Sequence, residues 1–190
     1  MTYTIIQPPF TLQFREMSKP DLRAYFDWFL NQIPVRLPIL ESSIQETPGF
    51  ESWSADFTVE SLKMLGEWYA GQVETRPRSQ DELDEIKQKL SFPVPVSDQE
   101  LTNKTFSLAF DVAMYLSEVF KRTFPSLRWD LILKDKRFAD YGQPVLMGFR
   151  GDVPFNPVRI MVVLAYGIVK KTKTGARLLV LYDNWSSQVV

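Results

Sequence analysis

The sequence predicts a helix-rich α+β fold in one domain spanning residues 1–190, with about six helices around a small, mostly antiparallel sheet. Three observations carry that expectation. Capped segments with apolar residues at helical spacing recur along the chain. One segment, from about Asn103 to Arg122, is apolar nearly all round and belongs in the middle of the core. Two runs, 127–134 and 144–149, have strand-like apolar character and are joined through the turn residues DYGQ.

Taken in order, FTLQFR at 10–15 alternates apolar and polar and predicts a first strand. Ser18, Pro20 and Asp21 supply an N-cap, a first-turn proline and a capping-box acid. Leu22, Tyr25, Phe26, Phe29, Leu30 and Ile33 then define a helix expected to end near Pro34, with a short helix interrupted by Pro38 to follow. PGFESWSADF at 48–57 is a loop. Thr58 caps a further helix with Leu62, Leu65 and Tyr69 inward, and Ser79 with Glu82 opens a short helix carrying Leu83, Ile86 and Leu90. SFPVPVSDQ at 91–99 is a connection within the domain. Asn156-Pro157 caps a helix through Ile168, where β-branched content keeps a strand in play, and 178–185 close the chain as a helix.

Composition excludes several chemistries. With no Cys and no His among 190 residues, there is no disulfide, thiolate nucleophile, iron–sulfur cluster or imidazole ligand, and no Ser-His or Cys-His pair. No metal and no cofactor is expected. MTYTIIQPPF lacks the pattern of a secretory signal, and no run reaches the ~18 apolar residues of a membrane span, so a cytoplasmic protein without membrane contact is expected. Residues 1–100 hold 9 Lys and Arg against 16 Asp and Glu, a balance of −7, while 101–190 hold 13 against 7, a balance of +6. Opposite halves favour mutual packing or a head-to-tail homo-oligomer, and an acidic half beside a basic one argues against nucleic acid.

Five segments in order, FTVESLKMLGEW at 57–68, AFDVAMYLSEVF at 109–120, LRWDLILK at 127–134, YGQPVLMGF at 141–149 and FNPVRI at 155–160, resemble a group of uncharacterised bacterial proteins. The resemblance implies a bacterial, cytoplasmic protein and carries over no catalytic residue.

Two constellations are candidates for function. Asp111 and Glu118 lie seven residues apart on the central helix, about 20° from one face with about 10 Å of rise between them, and Tyr115 sits between them. Carboxylates on an apolar helix must reach solvent, find a basic partner such as Arg128 or Arg159, or have their pKa raised as a general acid requires. Glu67 and Trp68, with Trp53 in the preceding loop, form an acidic, aromatic set of the kind that takes a partner's cations. Weaker signals are Arg150 and Arg159 around the helix start after GFRGDVPFNP, and the acid-free basic turn KKTKTGAR at 170–177. The leading expectation is a non-enzymatic protein-interaction domain, of immunity or adaptor type, using Trp53, Glu67 and Trp68. The alternatives are a small hydrolase or isomerase using Asp111, Tyr115 and Glu118, and a structural subunit of a homo-oligomer.

Overall fold

The structure, a computed structural model, describes residues 3–90, 92 and 94–190. Among them are six α-helices and two antiparallel sheets of two strands each, an α+β architecture. In chain order these are α1 (Lys19–Gln45), α2 (Ser61–Gln72), β1 (Thr75–Pro77), α3 (Gln80–Lys89), β2 (Gln99–Leu101), α4 (Asn103–Thr123), β3 (Arg128–Leu131), β4 (Pro144–Met147), α5 (Pro157–Val169) and α6 (Arg177–Ser186), with a single 3₁₀ turn at Arg150–Asp152.

Helix α4 is the axis of the molecule. Thr102 caps it by accepting from the Thr105 N–H, and thirteen of its side chains are buried. An apolar helix without a wet face must be enclosed, and α1, α2, α5 and α6 all pack against it. At its C-terminal half Phe120 meets Phe149, Phe155 and Tyr182 at ring-centroid distances of 6.0, 5.2 and 4.6 Å, and Trp185 caps the cluster edge-on. The β3–β4 pair, in register from Arg128↔Met147 to Leu131↔Pro144, closes one flank.

The structure differs from the sequence expectation in three places. Helix α1 does not stop at Pro34 but runs 27 residues through Pro34 and Pro38. A proline inside a helix typically costs about 3 kcal/mol. Here the inward stripe continues past both prolines as Ile33, Arg36, Leu40 and Ile44, and burial against α4 holds the turns together. The segment after Pro34 is thus the second half of α1. Residues 10–15 are turn and irregular chain rather than a strand. Their alternation serves to lay Phe10 and Phe14 on Tyr25, at 5.5 and 5.2 Å, and Phe10 also meets Trp28. The β1–β2 ribbon was not expected. The helix expected after Asn156-Pro157 is present, with Asn156 accepting from the Arg159 N–H as its cap and Met161, Leu164, Ala165 and Gly167 inward. Of the expected 91–99 connection, Ser91 and Pro93 lie outside the described residues.

Helix α2 meets the start of α6 through bare backbone. A Cβ placed on Gly66 would lie 2.3 Å from the Gly175 carbonyl oxygen, and one on Gly175 would lie 2.4 Å from that of Gly66. Gly71, in the same helix α2, has nothing within 4 Å of such an atom. Gly66→Ala is therefore expected to destabilise the protein by about 2–3 kcal/mol, as overpacking does, whereas Gly71→Ala stabilises it by about 0.5–1 kcal/mol through backbone entropy and helix propensity. Thermal unfolding of both variants beside the wild type checks the opposite signs.

Candidate functional site

The structure separates the two carboxylates of α4. Asp111 is fully buried and receives two hydrogen bonds of 2.8 Å from Arg36 of α1, one from Nε and one from Nη2. Arg36 also donates to the Tyr3 hydroxyl at 2.9 Å, Tyr3 donates to Asp111, and Ser107 accepts from the Ile6 backbone N–H at 2.8 Å. The partner is thus Arg36, not Arg128 or Arg159. Burial pushes the Asp111 carboxyl above its ordinary value, against the opposing pull of the guanidinium bonds and charge. Burial likewise works against the charge on Arg36, but the bonds and charge of Asp111 outweigh it and its pKa is raised. Burial, then the charge of Asp111, pushes the Tyr3 phenol up.

Glu118 points elsewhere. Its carboxylate lies 3.6 Å from Lys121, one turn on, at the rim of a groove that Asp111 does not line. Tyr115 is also committed. Its hydroxyl accepts from the Phe57 N–H at 3.0 Å and bonds Ser61 Oγ at 2.7 Å, and burial raises its pKa. Asp111, Tyr115 and Glu118 therefore anchor three different neighbours and line no common cavity.

Trp53 and Trp68 are buried to 3% and 2% exposure and offer no surface to a partner. Trp53 packs at a tilt with its ring centroid 5.2 Å from that of Tyr115 and donates to the Ser61 carbonyl at 3.1 Å, and Trp68 donates to Thr47 Oγ1 at 2.9 Å. Each indole N–H is satisfied inside, which is what makes its burial tolerable. Of this set only Glu67 is exposed. Of the weaker signals, Arg159 is held by the buried Asp140 at 3.1 Å, and Asp140 also accepts from Asn156 at 2.8 Å, so this arginine at the helix start is met by the protein's own carboxylate. Among the described residues no helix is long and apolar enough to cross a membrane, and no group of three acidic side chains is placed to hold a metal ion.

What the molecule does expose is an arm. Residues 78–98 form an excursion between the strands of the β1–β2 ribbon, paired from Thr75↔Leu101 to Pro77↔Gln99, and carry α3, whose last residue Lys89 lies beside Phe14, Arg15 and Glu16. An ion network fastens the base. Arg76 pairs with Glu82 at 2.6 Å and Glu100 at 3.7 Å, while Arg78 pairs with Glu100 at 3.2 Å and donates to the Ser97 and Gln99 carbonyls. The capping box foreseen at Ser79 and Glu82 is present in full. Yet α3 buries none of its side chains, and Leu90, Phe92 and Val94 beyond it are 37, 69 and 42% exposed. No protein-family model, curated protein or solved structure matches the chain.

Two outcomes are expected. Because its folded pKa is raised, the Asp111 carboxyl contributes stability below its unfolded pKa that is lost as pH rises, while the raised pKa of Arg36 works the other way and its contribution is present at neutral pH. Arg36→Met alone, which leaves Asp111 buried without its guanidinium, is expected to cost about 3–5 kcal/mol, while Arg36→Met with Asp111→Leu recovers most or all of that in chemical denaturation. Glu82 runs the other way: the Arg76 guanidinium and the Ser79 N–H hold its carboxyl down from the ordinary 4.5 to about 2. Its contribution is present above the unfolded value and lost as pH falls through about 2. NMR titration should place the Glu82 midpoint there, with the α3 amides shifting in step, and Glu82→Gln should abolish that acid transition.

Proposed function

We infer that this is a non-enzymatic protein-interaction module, cytoplasmic and of bacterial type, whose docking element is the α3 arm. One observation carries the inference: the exposed apolar run Leu90, Phe92 and Val94 directly follows a helix that buries nothing. Clustered exposed apolar side chains on a soluble fold mark contact surfaces. The charge of the arm defines the partner. Helix α3 carries Asp81, Glu82, Asp84 and Glu85 against Lys87 and Lys89. Its complement is an apolar slot bordered by basic side chains, into which Phe92 fits as the central anchor. On this reading the acidic partner surface is that of α3 rather than that of Trp53 and Trp68. An immunity-type or adaptor role fits such a surface.

A second reading makes the partner another copy of this chain. It is favoured by the turn at 170–177, where Lys170, Lys171, Lys173 and Arg177 carry no ion pair among the described residues. Acidic arm and basic turn are complementary, and such association is salt-sensitive.

The test is Leu90→Glu combined with Phe92→Glu. Both side chains are exposed, so the variant is expected to keep its unfolding temperature. Affinity capture from the native host at low and moderate salt should lose its main partner at least tenfold. Sizing chromatography at the same two salts separates the readings, since self-association released by salt and by the variant identifies the second copy. A variant that retains every partner and the same oligomeric state overturns both.

A further inference from the structure

Between the middle of α1 and the last turn of α4 lies an open groove of about 520 Å³, within the size range of small-molecule sites. Its lining sorts by chemistry. Helix α1 contributes Leu30, Ile33, Pro34, Leu37 and Pro38, and Trp129 of β3 adds ring carbon, its indole nitrogen being buried. The charged side chains of the lining, Glu118, Lys121 and Arg122, all come from one face of α4, at spacings of three and four residues. The groove is thus an apolar slot with its charge confined to a single helical turn.

Within that turn Arg122 is the group left open. Glu118 stands four residues before it, a spacing that favours pairing, yet its carboxylate lies 3.6 Å from Lys121. Arg122 instead places its guanidinium over the Phe57 ring, 3.5 Å from the centroid. An arginine held by an aromatic face keeps the N–H donors of its planar fork free, and Arg122 makes no hydrogen bond or ion pair among the described residues. The shelf beneath it is strained. Phe57 has φ +60°, a left-handed conformation that bulky residues rarely take. Tyr115 holds it there, accepting the Phe57 N–H at 3.0 Å and stacking on its ring at 5.1 Å and 22°. Buried Tyr115, strained Phe57 and exposed Arg122 therefore form one stack, and backbone strain of this kind concentrates where a side chain has to be aimed.

An occupant has to match both parts of the groove. A peptide, sugar or nucleotide lays amides or hydroxyls along α1 side chains that offer them no partner, which penalises binding. A neutral hydrocarbon leaves the arginine unused. A molecule whose polar atoms are limited to a terminal carboxylate suits both, since two carboxylate oxygens match the fork of Arg122 while methylenes cover the α1 side chains. We propose that the α1–α4 groove binds a single-chain alkyl carboxylate of fatty-acid type, with its head group on Arg122. The site shares no residue with the α3 arm.

The probes are decanoate, decanol and acetyl-Leu-Leu-Glu, with the first two kept below the concentration at which they self-assemble. Binding is followed by calorimetry and by the methyl resonances of Leu30, Ile33 and Leu37. Decanoate is expected to shift these methyls and the Arg122 Nε–H together, and to bind about tenfold tighter than decanol, the order a charge-assisted pair supplies. Arg122→Gln, at an exposed position, should remove that preference and keep the unfolding temperature. Glu118→Gln takes a competing carboxylate out of the lining, so it should tighten decanoate and leave decanol unchanged. Lys19→Gln, an equal loss of positive charge at the start of α1, should leave both affinities as they are, as should Leu90→Glu with Phe92→Glu. The proposal is overturned if decanoate moves none of the three methyls at millimolar concentration, if decanol binds as tightly, if Arg122→Gln acts no differently from Lys19→Gln, or if the peptide binds tighter than decanoate. Shifts produced by phosphatidylcholine vesicles but not by monomeric decanoate also overturn it, assigning the face to a lipid surface instead.

Discussion

The constraint on which the rest of the structure depends is that α4 has to be surrounded. A helix with thirteen buried side chains has no stable place at a surface, and the other elements are arranged by the way each covers it. Helix α5 runs along one side and α1 along another, while α2 and α6 close the remainder as a pair. The small sheets are accessories to this arrangement, one closing a flank and the other carrying the α3 excursion.

Within that sheath the Arg36–Asp111 pair acts as a register pin. Apolar ridges on α1 and α4 tolerate sliding by a turn with little change in buried area, but a carboxylate sealed inside tolerates only the position at which the guanidinium meets it. Tyr3 and Ser107 extend the same polar cluster to the chain before α1, so three segments distant in sequence are aligned by one charge pair. The cost of keeping ions in the interior is offset in part by a unique alignment.

Much of this was legible from local pattern where the determinant is local. The caps at Ser18, Ser79 and Asn156 sit within one turn of what they control, and the fully apolar character of α4 declares its central position without reference to any other segment. The misreadings share a cause. Pro34 breaks a helix by a local rule, yet its helix survives because Leu40 and Ile44 are sealed by contacts that local pattern does not display. Once α1 is cut at Pro34, Arg36 falls outside the helix and its place on the stripe Phe29, Ile33, Leu40, Ile44 is hidden, so Asp111 stands out while its partner does not. The charge at that position was the available signal. The exposed arm was missed for the opposite reason: Leu83, Ile86 and Leu90 have the spacing of a buried face, and periodicity does not tell that Leu83 and Ile86 are only half-covered while Leu90 is exposed. Trp53 lacked any periodic neighbours, but its indole found a carbonyl of the next element inside the core.

The contact between Gly66 and Gly175 bears on how this chain can change over generations. Most tight spots in a core are side chain against side chain, and a bulkier residue at one position can be matched by a smaller one opposite. Here main chain touches main chain, so no second substitution makes room. Any replacement at either glycine has to move α6 bodily, and with it Leu178 and Tyr182, which sit against the aromatic cluster at the end of α4. Drift at this crossing is therefore confined to mutational routes in which a whole helix is redocked at once, while the basic turn immediately before it, which meets mostly solvent, stays free to vary in sequence so long as its length is kept.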